Sequence, residues 1–209
     1  MTTPTTTPEQ QEQSQPAAMV TATMRSRLQQ FLAFGSLIVI FGFFSVANPN
    51  FLNYTNVTSI LFSTVVIGTL ALGTTFVIIT SGIDLSIGTG MALCAVMAGT
   101  FIVNMDIPVP VGVLMTVLFG GLIGLVNGLN VAVLRLPPFI ATLAMMLAAQ
   151  GLALVISHST PIYFNDTPGY SKISTGSIIP GTNFPNAVLI LAALAVLAGI
   201  LLNRTILGR

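Results

Sequence analysis

Charged residues are scarce in this sequence. Only 5% of its 209 residues are charged and 54% are hydrophobic, whereas soluble domains average about 25% charged residues. A soluble protein of this size could not cover its surface with so few charges. The composition therefore excludes an ordinary soluble enzyme. The net charge of +1 gives no indication of a nucleic-acid partner.

Residue types that build metal, disulfide and nucleotide sites are also nearly absent. The chain has one cysteine, Cys94, and one histidine, His158, which excludes an intrachain disulfide and an ordinary His/Cys metal site. Its one lysine, Lys172, lies in a polar stretch, and no P-loop motif occurs. The chain therefore cannot hydrolyse ATP by the P-loop route. We expect no catalytic residue, metal or cofactor in this chain.

Six apolar runs follow a polar N-terminal segment. Residues 1–28, rich in Thr, Pro and Gln, predict a disordered cytoplasmic tail, and residues 29–209 predict one transmembrane domain. Lipid cannot satisfy backbone polar groups, so each run predicts a helix, and about 20 helical residues cross the hydrocarbon core. The expected fold is an all-α, polytopic transmembrane helix bundle with about six spans, at residues 31–47, 57–80, 85–103, 109–134, 138–156 and 187–202.

The distribution of basic residues predicts the orientation. If the N-terminus is cytoplasmic, the polar loop at residues 157–186, which contains Lys172, lies outside. The other five basic residues then lie inside, as the positive-inside rule expects, namely Arg25, Arg27, Arg135, Arg204 and Arg209. The first run ends in a small-x-small pattern at residues 45–47, so cleavage as a signal peptide stays open. Either way the chain emerges outside at residue 48, and the later topology is unchanged.

Residues 79–88 are the most unusual segment between two spans. They contain a carboxylate, Asp84, together with Ser81, Gly82 and Ser86. A charge at mid-bilayer costs about 2.5–3.5 kcal/mol, so Asp84 belongs at a boundary, in a water-lined cavity or near a helix N-terminus. Two interpretations stay open. One is a turn in which Asp84 or Ser86 caps the next helix, and the other is a broken helix that lines a transport path.

The fourth apolar run combines small and polar residues. Gly120, Gly124 and Gly128 recur every four residues, which places them on one helix face and predicts close packing against another helix. Asn127 lies in the same run, where an amide either joins helices or contacts a transported solute. Asn127 and four residues of the segment 79–88 together form a candidate translocation path. Its members are Ser81, Gly82, Asp84, Ser86 and Asn127.

Several stretches together resemble the permease subunits of ribose-type bacterial ABC sugar importers, the second carbohydrate-uptake family. They are residues 70–93, 121–146, 151–162 and 178–209, and they include the runs GIDLS, NGL and RLPPFIATL. Ser81 stands where the family pattern has a glycine. The resemblance implies an inner-membrane permease that works by alternating access on a monosaccharide.

The resemblance also implies partners. An ABC ATPase subunit would hydrolyse ATP, an extracytoplasmic binding protein would deliver the sugar, and a second permease subunit, identical or different, would complete the path. Family members continue beyond the position of Arg209, so the resemblance implies a chain truncated at its C-terminus. Three other functions stay open: an ion-coupled secondary transporter that uses Asp84, a permease for branched-chain amino acids, and a non-transporting fragment.

Overall fold

The computed structural model of the protein describes residues 31–32, 34–165, 167, 169–178 and 184–204. The tail predicted at residues 1–28 lies outside them. The chain divides into two compact units, Met1–Val57 and Thr58–Arg209. Within the described ranges the regular structure is entirely helical, which confirms the predicted all-α class.

Seven α-helices occur in the described ranges. The third continues into a π-helix at Thr100–Asn104. The α-helices are α1 (Phe34–Ala47), α2 (Tyr54–Ile79), α3 (Ile87–Gly99), α4 (Val109–Ala132), α5 (Pro138–Ile156), α6 (Tyr170–Thr175) and α7 (Asn186–Arg204).

Five of the predicted spans form helices that are long and apolar enough to cross a membrane. They are α2, α3 with its π-helical end, α4, α5 and α7. The predicted run at residues 31–47 is also helical, but its continuous described part, α1, is shorter than these five. A helix needs about 20 residues to cross the hydrocarbon core at 1.5 Å per residue, so α1 falls short of that length in its described part.

Prolines set the start of α4 and α5. Pro108 and Pro137 occupy the residue before each helix, and a second proline, Pro110 or Pro138, lies in the first turn. A proline there costs little, because the first N–H groups of a helix have no partner inside it. This explains why the predicted and observed starts of these two helices agree.

Ser81 ends α2 in a left-handed conformation, with φ of 59°. The N–H of Gly82 donates to the Val77 carbonyl at 3.0 Å, and the N–H of Ser81 donates to the Ile78 carbonyl at 2.9 Å. This is the Schellman arrangement, whose left-handed position favours glycine because glycine has no Cβ. It gives a physical reason for the glycine that the ribose-type pattern has at this position.

The second unit is built around α3, which packs against both α4 and α5. Leu93 is only 2% exposed, and Ile102 in the π-helix is 4% exposed. Within the spanning helices two glycines allow the closest approaches: a Cβ added at Gly99 would lie 2.7 Å from Cγ2 of Ile162, and one at Gly112 would overlap Ile102. The sequence analysis did not single out either glycine.

The glycine face predicted on α4 has a close neighbour at one of its three positions. A Cβ at Gly120 would lie 3.3 Å from the Cys94 sulfur, whereas one at Gly124 or Gly128 would meet no heavy atom within 4 Å. The described chain therefore does not supply the expected close helix contact at these two positions. Spacing identifies a face but not the helix that covers it, and close packing of Gly124 and Gly128 against another helix stays a prediction.

The predicted loop at residues 157–186 contains a short helix. This helix, α6, packs against α7, and the ring of Tyr170 at its start stacks on Phe164 with 3.9 Å between centroids. Burial raises the pKa of the Tyr170 phenol above its ordinary value, because the charged form loses hydration. The part of the loop that the structure describes around Phe164 and residues 170–175 is thus regular, although its sequence is polar.

Candidate translocation site

Asp84, Ser86 and Asn127 form a hydrogen-bonded chain between the turn before α3 and the C-terminal part of α4. The Ser86 hydroxyl donates to Asp84 Oδ1 at 2.6 Å, and the Ser86 backbone N–H donates to the same oxygen at 2.7 Å. The amide nitrogen of Asn127 donates to Ser86 Oγ at 2.9 Å. Three of the five predicted path residues are therefore brought into contact.

Ser86 occupies the N-cap position of α3, but its side chain makes no capping hydrogen bond. The interpretation of Ser86 as a side-chain cap is therefore wrong. The Asp84 carboxylate accepts the N–H two residues later, as aspartate does in Asx-turns, and this holds the Ser86 hydroxyl toward Asp84 and Asn127. The sequence alone could not show whether the Ser86 hydroxyl caps α3 or bonds to another helix, because its partner Asn127 lies 41 positions away.

The part of the network between Ser86 and Asn127 is buried and leaves one acceptor without a partner. Ser86 is 2% exposed and Asn127 is 8% exposed, whereas Asp84 is only partly buried. Asn127 Oδ1 has no hydrogen-bond partner among the described residues. A buried polar atom without a partner costs about 1–3 kcal/mol, so leaving this amide oxygen unpaired opposes folding.

A cavity of about 250 Å³ lies beside this network. Asp84, Ser86 and Asn127 line its polar end, and Gly120 and Gly124 line it farther along α4. From Asn127 to Gly120 the helix rises by about 10 Å, at 1.5 Å per residue, so the cavity extends well into the bundle. The absence of side chains at the two glycines keeps this space open.

Thr142 of α5 holds the turn that carries Asp84. Its hydroxyl lies 3.1 Å from the Ile83 carbonyl and 2.9 Å from the Pro138 carbonyl, and Thr142 is only 4% exposed. Sequence reasoning missed this residue, because a threonine in an apolar helix ordinarily bonds only to its own preceding turn. The contact with Ile83 crosses between elements and could be found only in the structure.

Ser81 and Gly82 are placed differently from the other three predicted path residues. Ser81 is exposed at the end of α2, and Gly82 is buried, with its Cβ position 3.1 Å from Cγ1 of Val77. Neither residue lines the 250 Å³ cavity. In the structure they terminate α2, and a direct part in the path stays a prediction.

The side chains at this site offer polar groups that can bind a solute. They are hydroxyl, amide and carboxylate groups already hydrogen-bonded to one another. Within the described ranges, no group of three His, Cys, Asp or Glu residues could hold a metal ion. The arrangement fits hydrogen-bonded recognition of a polar solute.

Comparison with known proteins gives a consistent result. Residues 56–209 match the family described as "Branched-chain amino acid transport system / permease component". Over 174 residues the chain is 35% identical to the ribose import permease protein of Escherichia coli strain K12, covering 83% of this chain and 54% of the relative. The corresponding protein of Haemophilus influenzae is 32% identical over 180 residues, covering 85% of this chain and 54% of the relative.

A xylose transport system permease protein of Escherichia coli strain K12 is 36% identical over 159 residues, covering 73% of this chain and 40% of the relative. The chain thus spans about half the length, or less, of the curated relatives it matches. No solved structure matches the chain.

These matches confirm the resemblance to ribose-type sugar permeases that residues 70–93 and 121–146 indicated. The relatives are transporters rather than enzymes by their names. With five helices of spanning length, the match supports a multi-pass inner-membrane protein. Because this family model matches residues 56–209, well over half of the chain, the chain belongs to the family described as "Branched-chain amino acid transport system / permease component".

Proposed function

We propose that this chain is the membrane-spanning permease subunit of an ABC importer and forms part of the path for a monosaccharide. The observation that carries the proposal is the partly buried chain of hydrogen bonds from Asp84 through Ser86 to Asn127, whose three residues line a cavity among apolar helices. Burying such groups among apolar helices is costly and typically marks a solute pathway.

A second cavity supports a path along α3. It measures about 450 Å³ and lies at the far end of the same helix, lined by Ile102, Asp106 and Tyr163 among others. From Ile87 to Asn104 the helix and its π-helical end contain 18 residues, about 27 Å at 1.5 Å per residue. The two cavities, each lined partly by polar residues, thus lie near opposite ends of one helix. This arrangement suits a solute that is admitted from alternate sides of the membrane.

We place the N-terminus and Arg135 in the cytoplasm and Lys172 outside, following the positive-inside rule. The 19 residues of α5 separate the Arg135 turn from the loop at 157–178 by about 28 Å. The site at Asp84 then lies near the cytoplasmic end of the bundle, because Asn127 is five residues from the end of α4. The outer loop faces an extracytoplasmic sugar-binding protein.

We assign ATP hydrolysis to a separate ABC ATPase subunit, since the sequence contains no P-loop motif. A second permease subunit, identical or different, would complete the path and cover the exposed face of α4 at Gly124 and Gly128. An ATPase can drive transport only if its nucleotide states contact the permease differently. The cytoplasmic turns are where such contacts would form.

The relatives favour a monosaccharide, because their names specify ribose and xylose. Branched-chain amino acids are the second candidate, since the family description names them. A sugar offers several hydroxyl groups to the polar residues that line the cavity, whereas an amino acid offers an ammonium and a carboxylate group. We therefore test ribose, xylose and leucine side by side.

The experiment is uptake of each labelled solute in cells that lack their own importers. The chain is expressed with an ABC ATPase and a solute-binding protein from its own organism. We expect uptake of ribose or xylose that disappears when the ATPase is inactivated. Replacing Asn127 by leucine should reduce it about tenfold or more, because one hydrogen bond to a buried group is worth about 1–3 kcal/mol.

The matched control is Asn130→Leu, the same substitution on the same helix away from the cavity lining, which should leave uptake close to that of the original protein. Uptake of leucine but not of ribose or xylose would reject the monosaccharide and support a permease for branched-chain amino acids. Uptake that persists without ATPase activity and follows an ion gradient would reject an ABC permease.

The orientation predicts which engineered cysteines an impermeant thiol reagent reaches in whole cells. In a Cys94→Ala background, cysteine at Lys172 should be labelled and cysteine at Arg135 should not. After the cells are broken open, both should react, which shows that each is exposed. Labelling of the Arg135 position but not the Lys172 position in whole cells would reverse the topology.

A further inference from the structure

We propose that the cavity of about 450 Å³ at the end of α3 opposite Asp84 is a solute-binding subsite. In it the Asp106 carboxylate accepts hydrogen bonds from the hydroxyl groups of a monosaccharide, and the Tyr163 ring packs against the apolar face of the sugar. The inference rests on the proposed function, because it takes this cavity as part of the sugar path. It adds the residues and the chemistry of a second subsite, separate from the hydrogen-bonded network at Asp84.

Three polar side chains line this cavity without bonding to one another. They belong to Asp106, Tyr163 and Thr167, and none of them makes a side-chain hydrogen bond or an ion pair with another described residue. At the 250 Å³ cavity, by contrast, the side chains of Ser86 and Asn127 bond to each other. Asp106 is exposed, and Tyr163 is 67% exposed, so no protein group has to be displaced before a solute binds to them.

Two close glycine contacts frame the cavity. Ile102 in the cavity wall is 4% exposed and packs against Gly112 of α4. Ile162, the neighbour of Tyr163, packs against Gly99 of α3 in the same way. These contacts hold the segments that carry the lining residues together before a solute arrives. A preformed site of this kind has a low ordering cost on binding.

The backbone places Asp106 at the edge of this wall. Asp106 follows shortly after the π-helix at Thr100–Asn104 and has a left-handed φ of 51°, which aspartate tolerates better than most side chains. The N–H of Ile107 donates to the Phe101 carbonyl at 3.0 Å and closes the turn. Because the aspartate side chain is short, the carboxylate stays next to the cavity that Asp106 lines.

The volume and the mixed lining of the cavity fit a monosaccharide. Ligand pockets typically measure about 300–1,000 Å³, so this cavity lies within that range and the cavity of about 250 Å³ lies below it. Ile102, Val103 and Val109 give it an apolar wall, which together with an aromatic ring suits the C–H face of a sugar. An ionised carboxylate can only accept hydrogen bonds, and such charge-assisted bonds are roughly twice as strong as neutral ones.

The absence of tryptophan from the sequence allows a direct binding test. Tyr163→Trp introduces a single indole reporter and keeps an aromatic ring at the cavity. Ribose, xylose and leucine are titrated into the purified full chain with this substitution, without ATPase or binding protein. We expect a saturable change in tryptophan fluorescence with ribose or xylose, because the sugar displaces water from the indole ring. The matched control is Tyr54→Trp, at a residue that is 57% exposed and does not line the cavity, which should show no saturable change.

Asp106→Asn, combined with Tyr163→Trp, tests the carboxylate. Asparagine keeps the size and tolerates the left-handed conformation, but it removes the charge. Half-saturation should need about tenfold more sugar, which corresponds to about 1.4 kcal/mol. The thermal midpoint without sugar should stay the same, because Asp106 has no partner among the described residues. In the protein without substitutions, bound sugar should raise the thermal midpoint, and this measurement does not depend on the folding of a variant.

Three outcomes would overturn the inference: no saturable response to ribose or xylose, the same response at position 54, or an unchanged half-saturation in Asp106→Asn. A saturable response to leucine but to neither sugar would reject the monosaccharide as the occupant. ATPase-dependent sugar uptake without a response at position 163 would keep the proposed function and reject this inference. A sugar response without such uptake would keep the binding site and reject the ABC permease.

Discussion

Replacing Gly112 by leucine should prevent most of the protein from reaching a stable folded state. A single Cβ at Gly112 would overlap Cγ1 of Ile102 and lie 3.1 Å from its Cδ1. Ile102 cannot move away easily, because it is β-branched, 4% exposed and part of the π-helix. Overpacking a core typically costs about 1–3 kcal/mol, and the larger leucine at a helix crossing should exceed that range.

The matched control is Gly124→Leu, the same change on the same helix. A Cβ there meets no heavy atom within 4 Å, so the folded monomer should persist. The measurement is the fraction of monodisperse protein in detergent, by size-exclusion chromatography at equal expression. Equal recovery of both variants would contradict the close contact between α3 and α4 at Gly112. Loss of a dimer, but not of the monomer, in Gly124→Leu would assign that glycine to subunit packing.

Asp84→Ala should be the most damaging substitution in the hydrogen-bonded site. The Asp84 carboxylate accepts two hydrogen bonds from Ser86, at 2.6 and 2.7 Å, and bonds to charged groups are worth about 1.5–3 kcal/mol each. Removing both leaves the Ser86 hydroxyl, in a residue 2% exposed, without its acceptor. We expect a loss of about 3 kcal/mol or more in stability, seen as a lower thermal midpoint in detergent.

Asp84→Asn is the informative control, because its amide oxygen can still accept from Ser86 at the same place without the charge. Neutral hydrogen bonds are roughly half as strong as charge-assisted ones, so this variant should melt between the original protein and Asp84→Ala. Identical thermal midpoints for all three proteins would show that the contacts to Ser86 contribute nothing to stability. If Asp84→Asn and Asp84→Ala lowered the thermal midpoint equally, the loss of stability would come from the missing charge alone.

The sequence by itself determined that the protein lies in a lipid bilayer, that it is helical, and where most of its helices lie. Long runs with 5% charge overall are compatible only with lipid-facing helices, because exposed backbone cannot be satisfied in hydrocarbon. Prolines marked where α4 and α5 begin, since they fit only the first turn. Asp84, Ser86 and Asn127 were identifiable because polar groups in apolar spans are costly and need a reason.

The tertiary structure alone decided which of these residues act together. The partner of Ser86 on α4 lies 41 positions away, and no local pattern encodes that distance. It also showed that the close contacts of glycines in the spanning helices are at Gly99 and Gly112 rather than at Gly124 and Gly128, because a close contact depends on which segment packs against the glycine and not on spacing along one helix. The orientation of the Asn127 amide likewise depends on another segment, because Ser86, which is itself bonded to Asp84, accepts the hydrogen bond from the amide nitrogen.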